Sequence, residues 1–145
     1  MTNFQKAFEA GQEAATKSEL ARKEIDAVFV ALREEVSTAT KGKIEVSKHE
    51  YEKIKSLNFT IMGGFEKETF WAIAARNPLA ADKEFRQLAR WEQAPAGYPC
   101  KISWAGVDNN CHDKESLERG LTRLLADAAI GEKLRGIMAL PAASP

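Results

Sequence analysis

Ten residues of inward-facing type, Phe4, Phe8, Gly11, Ala15, Ser18, Arg22, Ile25, Phe29, Leu32 and Val36, follow one another at alternating steps of four and three. That spacing returns each residue to one side of an α-helix and keeps the side turned towards a partner. A helix of about 35 residues reaches about 50 Å at about 1.5 Å per residue, further than a domain of this size can cover. The sequence therefore predicts that part of this face meets something beyond the chain's own core.

Ala7, Ala14, Ala21 and Val28 lie beside the main positions and widen the stripe to three columns. Its middle third is built of small residues, Gly11, Ala14, Ala15, Ser18 and Ala21, which let two helix backbones come close. Arg22 interrupts the stripe, with its stem expected to pack and its head to reach water. Thr2-Asn3-Phe4-Gln5 has the form of a capping box, placing the helix start at Thr2. The pattern is lost over Ser37 to Lys41, and Gly42 is the expected left-handed cap, so the helix should end near Thr38.

The chain has 145 residues, enough for one core, and its 21 basic and 21 acidic residues cancel. No net charge draws it to nucleic acid or to an anionic membrane. Two cysteines, no secretory start and no apolar run near about 18 residues predict a cytoplasmic protein without a membrane segment.

Beyond Gly42 the period changes. Lys43 to Ser47 alternates like a strand, and Ser47 with Glu50 predicts a short helix through Ile54, a continued strand being the alternative. Asn58 to Met62 and Thr69 to Ala75 read as strands around Gly63-Gly64, a hairpin. Asn77-Pro78 suggests a helix start, with Leu79, Phe85, Leu88 and Trp91 on its apolar side and its end near Glu92. Tyr98 to Ala105 reads as a strand and Asp108-Asn109-Asn110 as a polar turn. Asp113 caps a helix lined by Leu117, Leu121, Leu124, Leu125 and Ala128, and Gly131 separates it from a last helix carrying Leu134, Ile137 and Met138. The fold class is α+β: a long N-terminal helix (1–42), then an α+β domain (43–140) of three or four mainly antiparallel strands packed with C-terminal helices, then a frayed tail (141–145).

Sites of chemistry are sparse. A zinc centre would need Cys100, Cys111, His112 and His49 together, yet no close Cys-x-x-Cys pair is present. Cys111-His112-Asp113 holds the residue types of a nucleophilic triad, but consecutive side chains diverge. An enzyme built on these groups would show a cysteine of unusual alkylation reactivity. Asp108-Asn109-Asn110 lacks the glycine and distal glutamate of a calcium loop. Gly63-Gly64 lacks the flanking pattern of a phosphate loop, so no cofactor is expected. Lys41, Lys43, Lys48, Lys53 and Lys55, with Lys101 beside Tyr98 and Trp104, are the candidates for nucleic-acid contact. Glu45, Glu50 and Glu52 interleave with them and favour an ordinary solvated surface. Trp71, Trp91 and Trp104 are expected in the core.

The stretch Phe85-Arg86-Gln87-Leu88-Ala89-Arg90-Trp91 through Gly97-Tyr98-Pro99-Cys100-Lys101-Ile102-Ser103-Trp104 resembles small accessory proteins of enterobacterial phages and prophages. The resemblance implies a cytoplasmic protein made in a bacterial host. It transfers no site residue.

The leading expectation is a non-enzymatic interaction or assembly factor whose long helix self-associates or docks on another protein. Phe4, Phe8, Ile25, Phe29, Leu32 and Val36 are the expected interface. Polar replacement of Ile25, Phe29 and Leu32 would then abolish association. The competing expectation folds the helix back to complete its own core. A nucleic-acid-binding accessory factor is the second functional expectation and a small Cys/His enzyme the third.

Overall fold

The 4-3 stripe forms one continuous helix, α1 (Phe4–Ala39). The computed structural model describes residues 2–56 and 66–144. Asn3, not Thr2, caps α1: its side chain accepts from the Lys6 amide at 3.1 Å, while Gln5 reaches forward to Glu9. The helix ends one residue beyond the expected Thr38. Lys41 and Gly42 turn through positive φ, and the Gly42 amide closes on the Ser37 carbonyl at 2.8 Å.

Five antiparallel strands follow in sequence order across one sheet: β1 (Glu45–Ser56), β2 (Glu66–Arg76), β3 (Arg86–Ala94), β4 (Gly97–Trp104) and β5 (Val107–Cys111). Two helices, α2 (Lys114–Ala126) and α3 (Ala128–Met138), complete an α+β fold. The sheet thus has five strands where three or four were expected. The short helix expected from Ser47 does not form, and the alternative, a continued strand, is what β1 shows. The Gly63-Gly64 hairpin turn and the strand expected at Asn58 to Met62 lie outside the described residues.

Both additional strands have a physical origin. Residues expected as a helix ending near Glu92 form β3, because a bulge at Leu88 shifts the register between Ile73 and Ala74 and buries Leu88 and Ala89 consecutively. Two adjacent buried positions imitate a helical face. The expected polar turn Asp108-Asn109-Asn110 is β5, and the chain reverses instead at Ala105 and Gly106, both at positive φ as in a two-residue hairpin turn. Polar residues suit β5 because it is an edge strand, where they discourage further pairing.

Asp113 caps α2 as expected, in a reciprocal arrangement with Ser116. The break between the last helices falls at Asp127, which caps α3; Gly131 lies inside α3 and breaks nothing. Asn77 does not begin a helix. It is buried, donates to the Ile137 and Met138 carbonyls at 3.2 and 3.5 Å, and accepts from the Leu79 amide. The tail expected to fray is held as far as Ala143, by Ala81 N–H to the Pro141 carbonyl and Ala143 N–H to the Leu79 carbonyl.

One sheet face carries Val46, Ala75, Ile73, Ala89, Trp91, Ile102, Cys100 and Cys111, and packs under the later part of α1, α2 and α3. Ile25, Val28, Phe29 and Leu32 of α1 are buried there, with Val36 half-buried against them. No helix among the described residues is long and apolar enough to cross a membrane.

Candidate functional site

α1 divides where it meets the sheet. Every residue from Phe4 to Lys17 is exposed, including Phe4 at 78% and Phe8 at 67%. Along the helix, the first side-chain hydrogen bond to another element among the described residues comes at Arg22. Its guanidinium donates to the Pro95 carbonyl at 2.7 Å, so the head docks on the β3–β4 turn rather than standing free in water. The Tyr98 hydroxyl donates to Glu24 at 2.7 Å. Burial, followed by the Glu24 carboxylate, pushes the Tyr98 phenol well above its ordinary range. Lys48 pairs with Asp26 at 2.9 Å and lies over the Phe29 ring at 5.1 Å.

Ala7, Gly11, Ala14, Ser18 and Ala21 form a seam of small residues at the same four-three step. At its inner end the seam is already occupied. A Cβ built on Gly97, whose φ is +98°, would fall 2.8 Å from the Ala21 Cβ, so the turn backbone rests directly on the helix. At its outer end it is empty, for a Cβ on Gly11 would meet nothing within 4 Å. A mid-helix glycine is less favourable than alanine by about 0.5–1 kcal/mol, and no packing among the described residues requires one at position 11.

Beside the point where α1 leaves the sheet, a cleft of about 570 Å³ opens between Arg22, Lys48, Trp71, Trp91, Gln93 and Pro95. Trp91 is buried and meets Phe29 edge-on at 5.0 Å, but Trp71 is 47% exposed. Trp71 pairs directly with Trp91 in the β2–β3 register and so faces the helix layer, at a place the helices do not cover.

The opposite sheet face is sealed differently. Arg90 sits over Phe70 at 4.5 Å, Phe70 stacks on Tyr51, Tyr51 meets His49, His49 stacks on Phe85, and Arg76 covers Phe85 at 4.6 Å. This ladder lies over Ala72 and Ala74, which are fully buried. Its rings are thus engaged with one another, and Phe70 and Phe85 also with the two guanidinium groups.

The structure separates the interface residues expected from sequence. Phe4 and Phe8 stand on the free half, whereas Ile25, Phe29 and Leu32 lie in the chain's own core and Val36 against it. Polar replacement of those three is therefore a test of folding before it is a test of association. The lysines are also dispersed. Lys41 and Lys43 are exposed in the α1–β1 turn, Lys48 faces α1, and Lys53 and Lys55 follow in β1. Lys101 projects from the opposite face, where its bond to Glu92 at 2.8 Å holds its pKa up. Tyr98 is committed to Glu24.

Cys100 and Cys111 are directly opposed in the β4–β5 ladder and buried on the helix side, while His49 is in the aromatic ladder on the other face. Burial, with a smaller contribution from Cys111, pushes the Cys100 thiol up to about 12; burial and Asp113 push Cys111 up as well. Thiolate is therefore scarce at neutral pH, the reverse of an activated nucleophile. Among the described residues no group of three or more His, Cys, Asp or Glu side chains is placed to hold a metal ion.

Sequence reasoning missed the exposure of Trp71 and the docking of Arg22. The apolar run Phe70-Trp71-Ala72-Ile73 signals a strand covered on both faces, but nothing local marks where the covering helix departs. No family model matches the chain, and no curated protein or solved structure matches it.

Proposed function

We propose that this chain is a non-enzymatic assembly factor that self-associates through the free half of α1. The observation that carries this reading is the pair Phe4 and Phe8, exposed on a helix half that is not buried by any of the described residues and carries a small-residue seam open at Gly11 among them. Large apolar side chains at seam spacing, with small residues between them, suit a second helix lying close. The resemblance to accessory proteins of phages and prophages fits a small assembly component, and a host-cell cytoplasmic location belongs to the same proposal.

Burying a Phe side chain contributes about 1.5–3 kcal/mol. Four such residues in a pair of helices give about 6–12 kcal/mol. Association itself costs about 4–15 kcal/mol. Two arms alone therefore stand near the threshold of stable pairing, and any further surface they cover decides the affinity.

Light scattering behind size exclusion tests the proposal on the full chain and on a version beginning at Ser18, which keeps every buried residue of α1. The expected outcome is an oligomeric full chain and a folded monomeric truncation. A full chain that stays monomeric at tens of micromolar, or a truncation that assembles equally well, overturns it.

A further inference from the structure

We propose, resting on that self-association, that two copies pair antiparallel over residues 4–22, with Phe4 of each copy seated at the Trp71 cleft of the other. The fold limits how far two arms can overlap. Beyond Arg22 the helix is covered by the Pro95–Gly97 turn, with Gly97 pressed on Ala21 and Arg22 bonded to Pro95, so an incoming helix must stop there.

An antiparallel pair with its two-fold axis beside Glu13 fills the available length. It sets Phe8 against Ser18, Gly11 against Ala15 and Phe4 against Arg22. Each large side chain then meets a small one or a guanidinium plane, the latter a favourable partner for an aromatic face. On the flanks Gln5 meets Glu19 and Gln12 meets its own copy, so no like charges oppose. A parallel pair in register sets Phe4 on Phe4, Gly11 on Gly11 and Arg22 on Arg22, which crowds one end, hollows the middle and opposes two cations. A shorter antiparallel overlap, Phe4 on Ala15 and Phe8 on Gly11, leaves Ser18, Arg22 and the cleft uncovered.

Two independent features meet at the end of the longer overlap. Arg22 lines the cleft floored by Trp71, so the incoming Phe4 arrives beside the half-exposed indole. The first turn of α1 carries no acidic residue, although the positive end of the helix dipole favours one. In this pairing Glu19 of the other copy supplies negative charge there.

Disulfide trapping reads the register directly, because the native Cys100 and Cys111 are buried. Gln5→Cys and Glu19→Cys are made as separate full-length proteins, oxidised alone and as a mixture, with light scattering on the unoxidised chains. The expected result is a dimer in solution, a cross-linked dimer in the mixture, and little cross-linking of either variant alone. Cross-linking of Gln5→Cys with itself in a protein that remains dimeric overturns the antiparallel pairing while leaving self-association standing. Efficient trapping of Gln5→Cys with Gln12→Cys in place of Glu19→Cys overturns this overlap in favour of the shorter one. A monomeric full chain overturns both the pairing and the proposed function. For the cleft, Trp71→Ala is expected to weaken dimerisation at least on the order of tenfold, as loss of an aromatic anchor does. An unchanged dissociation constant in a folded variant overturns the seating of Phe4.

Discussion

The two halves of α1 share one helix and one spacing, yet they differ in what covers them and in how large their side chains are. From Ile25 onward the face is Ile, Val, Phe and Leu, buried on the sheet; from Phe4 to Ala21 it is Ala, Gly and Ser with two phenylalanines near the free end. The difference follows from reach. Five strands at about 4.8 Å spacing make a sheet about 24 Å wide, and 36 helical residues at about 1.5 Å each extend to about 54 Å. A four-three pattern therefore specifies a face without specifying its occupant. Side-chain size adds the missing information, since large residues fill the gap above a sheet and small ones suit a close second backbone.

The largest expected effect separates the halves by stability. Phe29→Ala removes a ring packed on Trp91 and under Lys48 and should lower the unfolding free energy by about 3–5 kcal/mol. Phe8→Ala, measured at a concentration where the chain is monomeric, should change it by no more than about 0.5 kcal/mol. Urea unfolding of both variants checks the pair, and equal losses would erase the distinction between covered and free halves.

A smaller effect probes the boundary between them. Gly97→Ala places a methyl against Ala21 at a φ that side chains rarely adopt, and overpacking of this kind costs about 1–3 kcal/mol. Because the turn also positions Pro95 for Arg22, the variant should loosen the base of the free half. Faster amide exchange around residues 19–24 together with a lowered urea midpoint is the expected outcome. A neutral Gly97→Ala would mean that α1 is not held at this turn.

The same contrast explains what could be read from sequence. α1, the Asp113 cap and the α+β class were legible because each rests on local chemistry: a repeated spacing, a side chain near free amides, a change of period. β3 was not, since the bulge at Leu88 places two buried residues side by side and disguises a strand as a helix. β5 was not, since an edge strand is free to be polar and Ala105-Gly106 is a less emphatic turn than Asp108-Asn109-Asn110. In the candidate site, the free arm was foreshadowed by Phe4, Phe8 and the small residues. The Trp71 cleft had no local signature. Its exposure depends on where a helix distant in sequence leaves the sheet, and only the assembled fold sets that point.

The smallest expected effect is the sharpest test of the small-residue seam. Gly11→Ala replaces a conformationally free residue by the best helix former and should stabilise the monomer by about 0.5–1 kcal/mol, because its Cβ meets nothing within 4 Å among the described residues. If position 11 exists for close approach of a second helix, the added methyl should at the same time weaken self-association. The two observables then move in opposite directions, thermal stability of the dilute monomer upward and the dimer population by light scattering downward. A merely imperfect helix would behave otherwise, with a stiffer arm assembling as well as before or better. Joint improvement of both observables would therefore remove the close-approach argument, whereas opposed shifts would tie this glycine to the partner's backbone.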